Sequence, residues 1–481
     1  MREISGLEAI ERAVMDCGVE VITYVPGYPV TEVAKSLGAE ISVNEKVALE
    51  IALGASATGN RSMVITKQVG MNILADPLLI SATHTIGSGL IILVGDDLGP
   101  KGSQAEMDSR YYGFICELPV LDPRDPATLY DSIIEAFALS EKLRIPVIVR
   151  ITSRLISSVC HADLDYRVLK WSGLRFDPSA WDLTAKGKHQ RHHCEILPMV
   201  EAASEASSLN CVQSVSNVGI ISSGFPANFA NELGVSLLAV GYAYPLPWRL
   251  IRNFIKTHKI ILIAEEPEPL IESQLRMNPK VKGRFTCHLP FGPLDISDLE
   301  KALRDEKVLF VSRGYESAAE RGYRSICEGC PFESLYRALG KLSVPVAGDV
   351  GCVIKATRKP YSSVDLVYGL GSSVAVASGF KKKGVAVIGD FAFAHTGFPG
   401  LMNAIWQKRD VLVVLIQNGV AATTGGQEAP DLSKILETLV STTFLQLPLA
   451  EKEIERLLEG ELAKPGISAV IMKGKCVDFR R

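Results

Sequence analysis

The sequence has 481 residues, 47% of them apolar and 22% charged, with a formal net charge of −3 at pH 7. The length predicts two to four domains, and the charge gives no support for a nucleic-acid partner. No apolar stretch reaches the roughly 18–20 residues that a membrane span needs, so we expect no membrane partner. Ten cysteines without a secretion signal indicate reduced thiols or metal ligands, and hence a cytoplasmic protein.

The first third of the chain has the pattern of an α/β domain. MREISGLEAIERAV (residues 1–14) predicts an amphipathic helix, and Val/Ile-rich runs then alternate with helix-length amphipathic segments as far as residue 155. The runs are VEVITYV (19–25), RSMVITK (61–67), GLIILVGDD (89–97) and RIPVIVRIT (144–152). This alternation predicts a doubly wound parallel sheet with strands buried on both faces.

Two further α/β units follow a polar stretch that includes GKHQRHHCE (187–195), which we interpret as a linker. VGIISSG, SLLAVG and KIILIAEE predict the strands of a smaller unit. SVPVAGDVG, VDLVYGLG, GVAVIGD, DVLVVLIQN and ISAVIMKG predict a second large doubly wound sheet. The predicted division is a first domain 1–180, a linker 181–210, a small α/β domain 211–315 and a last domain 316–481.

GLGSS (369–373) follows one of the predicted strands of the last domain. The third small position of a GxGxxG dinucleotide motif falls on Val374, so that fingerprint fails. A tight turn at Gly369, Gly371 and Ser372 that approaches a phosphate and an ordinary strand-to-helix turn both remain open.

The segment 387–426 places two oxygen-bearing side chains at the ends of successive predicted strands. One strand ends at Gly389–Asp390 and the next at Asn418–Gly419. A carboxylate and an amide oxygen at adjacent strand ends suit a magnesium ion that carries a diphosphate. Either residue alone would more often be a helix cap or a turn residue. The pair, GD followed after nearly thirty residues by N, resembles the diphosphate-binding motif of thiamine-diphosphate enzymes.

The resemblance extends over about residues 5–478. It is carried by NEKVALEIALGASATGNRSMVITKQVGMNILADPLL (44–79), GDDLGPKGSQAEMDSRYY (95–112), CEGCPFESLYRAL (327–339) and GDVGC (348–352). These segments resemble the large subunit of indolepyruvate:ferredoxin oxidoreductase, of the 2-oxoacid:ferredoxin oxidoreductase family. The resemblance implies a pyrimidine-binding domain, a transketolase-C-like α/β domain and a diphosphate-binding domain. It also implies thiamine diphosphate and Mg²⁺ as cofactors.

The resemblance assigns roles to individual residues. Glu45 matches the glutamate that contacts the aminopyrimidine ring, although a carboxylate favoured at a helix start is the alternative. Asp390, Asn418 and the carbonyl of Val420 match the magnesium ligands. Arg110 falls where the family binds the substrate carboxylate, and an ordinary salt bridge is the alternative. His395 matches a family histidine, and a buried histidine with satisfied hydrogen bonds is the alternative.

The Cys327–Cys330 pair could bind zinc, hold part of an iron–sulfur cluster or have no ligand at all. Related oxidoreductases hold a [4Fe–4S] cluster with cysteines that match Cys327, Cys330, Cys352 and Cys476. Zinc also accepts four thiolates, but the match to a thiamine-diphosphate enzyme favours one [4Fe–4S] cluster. Cys17 and Cys160 have the pattern of buried apolar thiols.

The implied activity is oxidative decarboxylation of a 2-oxoacid, with indolepyruvate or another aryl pyruvate as the expected substrate. Coenzyme A, ferredoxin, a small subunit and an oligomeric assembly are the implied partners. Family members continue into a ferredoxin-like module that we expect to be lacking after Arg481, and Tyr28 replaces a small hydroxyl residue before Pro29. Non-oxidative decarboxylation or carboligation, and a non-catalytic cofactor-binding subunit, are the alternative functions.

Overall fold

The structure is a computed structural model that describes residues 2–162, 178–308 and 325–479. The chain forms two compact units, residues 1–311 and 312–481, and each is described by itself. In the described residues, no helix is both long and apolar enough to cross a bilayer.

The first unit contains fourteen strands in its described residues. They are β1 (Arg2–Ser5), β2 (Val21–Tyr24), β3 (Glu40–Ile41), β4 (Ser62–Lys67), β5 (Leu90–Asp96), β6 (Val120–Leu121), β7 (Val147–Thr152), β8 (Val159–Ala162), β9 (Cys211–Gln213), β10 (Val218–Ser222), β11 (Ser236–Ala239), β12 (Tyr242–Tyr244), β13 (Ile260–Ala264) and β14 (Val281–Lys282).

The same unit contains thirteen α-helices in its described residues. They are α1 (Gly6–Asp16), α2 (Thr31–Ser36), α3 (Glu45–Ala57), α4 (Met71–Thr83), α5 (Tyr112–Cys116), α6 (Pro126–Leu143), α7 (Ser153–Ser157), α8 (Ala185–Arg191), α9 (Leu197–Ala206), α10 (Phe229–Leu233), α11 (Trp248–Thr257), α12 (Leu270–Leu275) and α13 (Ile296–Leu303).

Two main sheets form the first unit. A seven-stranded sheet has the order β12-β6-β7-β5-β4-β2-β3 and is parallel except for β12, which runs antiparallel to β6. Every residue of β5 and β7 is buried, because helices cover both faces of this sheet. A smaller sheet has the order β14-β13-β10-β11-β9, in which only β9 runs antiparallel to its neighbour.

The second unit contains seven strands and six α-helices in its described residues. The strands are β15 (Val346–Ala347), β16 (Gly384–Gly389), β17 (Val411–Gln417), β18 (Val420–Ala421), β19 (Gln427–Glu428), β20 (Ser441–Gln446) and β21 (Ile467–Lys473). The helices are α14 (Glu333–Leu339), α15 (Ser373–Ser378), α16 (Asp390–Ala392), α17 (Phe398–Trp406), α18 (Ser433–Leu439) and α19 (Glu451–Leu462). A π-helical turn, Phe393–Gly397, joins α16 to α17.

One parallel sheet of order β15-β16-β17-β21-β20 organises the second unit. Two hydrophobic clusters cover its faces, one around Leu335, Val387 and Leu458 and the other around Val374, Leu401 and Leu436. The predicted fold class, α/β with two doubly wound parallel sheets and a smaller α/β sheet between them in the chain, is confirmed.

Three local expectations differ from the structure. Residues 2–5 form a strand paired with β8, and the first helix begins only at Gly6, where Ser5 and Glu8 form a capping box. The stretch 181–210 contains α8 and α9, with Val200 fully buried. Of the run VDLVYGLG, Leu366 forms only an isolated bridge to Ala347, because the chain leaves the sheet toward the glycine turn.

Candidate active site

Asp390 and Asn418 meet at the carboxyl ends of two neighbouring strands of the second unit. β16 and β17 pair in parallel up to Gly389 and Ile416, so their ends lie side by side. The Oδ2 atom of Asp390 accepts hydrogen bonds from the backbone N–H groups of Asn418 at 3.0 Å and Gly419 at 2.6 Å. The juxtaposition expected from the sequence is therefore present.

The turn after β17 is stabilised by the side chain of Asn418. Asn418 Oδ1 accepts a hydrogen bond from the Val420 N–H at 3.0 Å, and Gly419 has a φ of +74° that L side chains rarely adopt. Asp390, Asn418 and Val420 thus bring a carboxylate, an amide oxygen and a carbonyl to one turn. Hard oxygen donors of this kind fit a magnesium ion.

Burial raises the pKa of Asp390 to about 6, although backbone N–H groups of Gly419, Phe391 and Asn418 act in the opposite direction. These amides are neutral, so they stabilise the carboxylate less than a cation would. A bound divalent cation would supply that charge.

The glycine turn before α15 is held by Asp349, which follows β15. The Gly371 N–H donates to Asp349 Oδ1 at 2.7 Å, and the Ser373 N–H donates to Oδ2 at 3.4 Å. Ser372 closes the turn by donating from Oγ to the Gly369 carbonyl at 2.8 Å. The motif GDVGC predicted a cysteine ligand but no role for Asp349, and the signal for that role is an acid two residues after a strand.

His395 and the glycine turn lie on neighbouring segments. A Cβ built on Gly371 would lie 2.0 Å from Thr396 Oγ1, and that hydroxyl donates to the Leu370 carbonyl at 2.7 Å. His395 itself is buried, with Nδ1 3.3 Å from Thr396 Oγ1. Asp390 begins the helical segment that contains His395, and that segment packs on the glycine turn.

Glu45 lies in the first unit, at the first position of α3. Asn44 caps this helix by accepting a hydrogen bond from the Val47 N–H at 2.9 Å, which fixes where the helix begins. The Glu45 side chain is buried and packs against Gly70, whose added Cβ would lie 2.5 Å from Glu45 Oε1. A buried carboxylate at a helix start fits either a cap or a contact to a bound ring.

Arg110 does not have a free donor for a substrate. Its Nε donates to Asp108, its Nη1 to Ser223 and Glu265, and its Nη2 to Asp108 and the Glu268 carbonyl. The side chain is fully buried, and the neighbouring carboxylates raise the pKa of Arg110 well above its ordinary value although burial opposes them. We therefore interpret Arg110 as part of a structural ion cluster, and not as the group that binds the substrate carboxylate.

The four candidate cysteines lie near one another in the second unit. Burial raises the pKa of Cys352 to about 11, and Cys330, Cys476 and Cys327 each add to that shift. A Cβ on Gly474 would lie 3.1 Å from Pro331, so the segment after β21 packs on the Cys327–Cys330 turn.

No set of three or more His, Cys, Asp or Glu side chains in residues 2–162, 178–308 and 325–479 is arranged around a single metal position. Thiolates of a four-iron cluster lie farther apart than the ligands of a single ion, because the cluster stands between them. In the described residues the four thiols are therefore close to one another, but they are not arranged around a single zinc position.

Comparison with known proteins agrees with this geometry. Residues 349–450 match the family described as thiamine pyrophosphate enzyme, C-terminal TPP binding domain. Over 98% of its length the chain is 29% identical to the indolepyruvate oxidoreductase subunit IorA of Methanothermobacter thermautotrophicus, of which it covers 86%. It is 30% identical to IorA of Archaeoglobus fulgidus and 31% identical to IorA of Thermococcus kodakarensis, over 88% of this chain and 76% of each relative.

A solved structure shares the fold. The 2-oxoglutarate:ferredoxin oxidoreductase from Magnetococcus marinus superposes with a TM-score of 0.53 and 16% identity, over 63% of this chain and 65% of that chain. The turn that joins Asp390 to Asn418 lies within the matched thiamine pyrophosphate domain, so the chain is a subunit of a thiamine-diphosphate enzyme. More narrowly, it belongs to the IorA family of indolepyruvate oxidoreductase subunits, and the resemblance inferred from its motifs is confirmed.

Proposed function

We propose that this chain is the catalytic subunit of a ferredoxin-dependent oxidoreductase that decarboxylates an aryl 2-oxoacid such as indolepyruvate. In the reaction the carboxyl group leaves as CO₂ and the acyl carbon loses two electrons. Coenzyme A takes the acyl group as a thioester, and two one-electron acceptors are reduced. The observation that carries the proposal is the hydrogen-bonded turn of Asp390, Asn418 and Gly419 in a member of the IorA family.

Asp390, Asn418 and the Val420 carbonyl would hold Mg²⁺ and, through it, the diphosphate of the cofactor. Gly369, Gly371, Ser372 and Gly389 would let the backbone approach the phosphates. Bound thiamine diphosphate supplies the nucleophilic carbon and the electron sink that 2-oxoacid decarboxylation requires. Glu45 would hold a proton at a ring nitrogen of the aminopyrimidine, and His395 would lie beside the diphosphate turn.

Cys327, Cys330, Cys352 and Cys476 would hold one [4Fe–4S] cluster, which supplies one-electron transfer. Support comes from their proximity and from their positions on three separate segments of the second unit. The two curated relatives at 30% and 31% identity carry the word subunit in their names. We propose that this chain likewise assembles with a smaller subunit and passes electrons to ferredoxin.

The test is cofactor binding by the anaerobically purified chain. Isothermal calorimetry with thiamine diphosphate in excess Mg²⁺ should show binding that Asp390→Ala abolishes, because a metal ligand is lost. Asp365→Ala is the matched control, since Asp365 also accepts a backbone hydrogen bond, from Val346 at the opposite end of the sheet. Undiminished binding by Asp390→Ala would refute the assignment of the diphosphate site.

A further inference from the structure

Lys67 is the last residue of β4 and points toward the glycine-containing segments beyond the strand end. A Cβ built on Gly27 would lie 2.5 Å from Lys67 Cδ, so only a glycine leaves room for this side chain. The Nζ atom makes a long 3.5 Å hydrogen bond to the Gly102 carbonyl. The aliphatic part of Lys67 is thus fixed by packing, whereas its ammonium group is weakly held.

The ammonium group differs from most other enclosed cations of the first unit. Arg61, Arg110 and Arg150 each form an ion pair with a carboxylate, at 2.6 Å in all three cases. Lys67 Nζ forms no ion pair within 4.0 Å in the part of the chain that the structure describes. Burial lowers the pKa of Lys67, and the more distant charges of Asp97 and Glu45 only oppose that shift. A half-buried ammonium in this state has the capacity to bind a carboxylate.

Arg284 is another enclosed cation without an ion pair in the described residues, and its setting is different. Its Nε and Nη1 atoms have no hydrogen-bond partner, yet Glu265, Glu266 and Glu272 surround it with negative charge. An anion would be repelled there. Lys67 is therefore the better candidate for anion binding.

Lys67 also lies beside the residue that the proposed function places at the cofactor. The charge of Glu45 acts on Lys67, and Glu45 contacts Gly70, three residues after Lys67. On the other side, a Cβ on Gly102 would lie 3.2 Å from the Tyr28 Cβ. Tyr28 is 40% exposed, so its ring lies at the surface beside the Gly102 segment to which Lys67 donates.

We propose that Lys67 binds the carboxylate of the 2-oxoacid and that the Tyr28 ring borders the substrate's aryl side chain. The inference rests on the proposed function and gives Lys67 the role that the sequence analysis expected of Arg110. A single ammonium on a flexible stem attracts the carboxylate as a point charge, without the two-pronged geometry of a guanidinium. The favoured substrate class is a 2-oxoacid with a flat aromatic side chain.

Removal of this charge should weaken substrate binding more than the chemical step, because the carboxylate is present in the bound substrate and departs during reaction. Hydrogen bonds to charged groups predict a roughly 10- to 100-fold loss of affinity. The expected signature is a raised KM for indolepyruvate with a smaller change in kcat.

The direct test measures binding of the unreactive analogue indole-3-lactate to the chain loaded with thiamine diphosphate and Mg²⁺, by calorimetry. Lys67→Met should weaken its binding by roughly 10- to 100-fold, and Lys67→Arg should restore part of the loss. The methyl ester of indole-3-lactate, which has no charge, should bind wild type and Lys67→Met equally well. Lys35→Met, on the exposed surface of α2, is the control and should leave both affinities unchanged.

The outcomes separate this inference from the proposed function. If wild type binds neither thiamine diphosphate nor indole-3-lactate, the proposed function fails. If wild type binds both and Lys67→Met binds the acid as tightly as wild type, only the role of Lys67 is refuted. Loss of thiamine diphosphate binding by Lys67→Met would also overturn the inference, because Lys67 would then contact the cofactor.

Discussion

Gly70 lies so close to Glu45 that no side chain fits between them. A Cβ on Gly70 would be 2.5 Å from Glu45 Oε1 and 2.2 Å from Thr66 Oγ1. The first helical residue of α3 and the turn after β4 are therefore fixed against each other. The position of the Glu45 carboxylate depends on a glycine twenty-five residues further along the chain.

Gly70→Ala should displace the Glu45 carboxylate. The added methyl group overlaps two oxygen atoms of enclosed side chains, which predicts a loss of about 1–3 kcal/mol in unfolding free energy and a fall in turnover. Gly54→Ala in α3 is the control, since its Cβ would meet no atom within 4 Å and the helix should gain stability. Urea denaturation and turnover assays measure both effects, and wild-type turnover in Gly70→Ala would contradict the prediction.

Glu45→Gln should separate binding from catalysis. The substitution keeps the shape of the side chain and removes the proton that the proposed mechanism needs, so thiamine diphosphate should still bind. Turnover should fall by about 10²–10⁴-fold, the usual contribution of a positioned acid or base. Deuterium exchange at C2 of the bound thiazolium ring measures the step directly, and exchange at the wild-type rate would remove Glu45 from the mechanism.

The cysteine assignment predicts a metal content. Anaerobically reconstituted chain should contain about four irons and show broad visible absorption, as a Cys₄-bound cluster requires. Replacing Cys327, Cys330, Cys352 or Cys476 by serine should reduce both, whereas Cys160→Ala should change neither. Colourless protein with about one zinc per chain would indicate a structural zinc site instead.

Asp349 predicts a pH dependence of stability in the second unit. Burial raises its pKa from 3.8 to about 6, so the folded state holds a proton that the unfolded state has lost between those values. Stability should therefore fall as the pH rises from about 4 to about 6, by about 3 kcal/mol for this group. Asp390 has a shift of the same sign, so Asp349→Asn should flatten the dependence only in part. Urea denaturation followed by circular dichroism across this range tests it, and an unchanged slope in Asp349→Asn would contradict the assignment.

The parts of this structure that follow from local chemistry could be predicted from the sequence. The buried strands β5, β16 and β17 are rich in β-branched residues and leucine, and an Asp or Asn stands at the end of each strand or directly after it. Since the carboxyl ends of parallel strands lie at one edge of a sheet, the sequence alone predicts the contact of Asp390 with the Asn418 turn. The capping of α3 by Asn44 likewise follows from residue type and position.

Features that depend on distant partners could not be predicted. Arg110 resembled a ligand-binding arginine, and only the fold shows that Glu265 and Ser223 occupy its donors. Lys67 forms no ion pair within the described residues although Asp97 and Glu45 are near enough to affect its charge, and no sequence pattern predicts such a setting. The short strand β12 joins the large sheet although it lies more than a hundred residues after β6, its partner.

The ion cluster around Arg110 has a consequence for how the first unit can be divided. Arg110 joins Asp108 to Glu265, and Arg150 in β7 joins Asp96 and Asp122 to the Glu266 carbonyl, so buried charges link the seven-stranded and five-stranded sheets. Cutting the chain between the sheets would leave guanidinium and carboxylate groups without their partners at the newly exposed face. Each broken pair would cost about 3–5 kcal/mol of folding stability. The two sheets should accordingly melt in one cooperative transition, and a fragment that ends near residue 210 should fail to fold by itself.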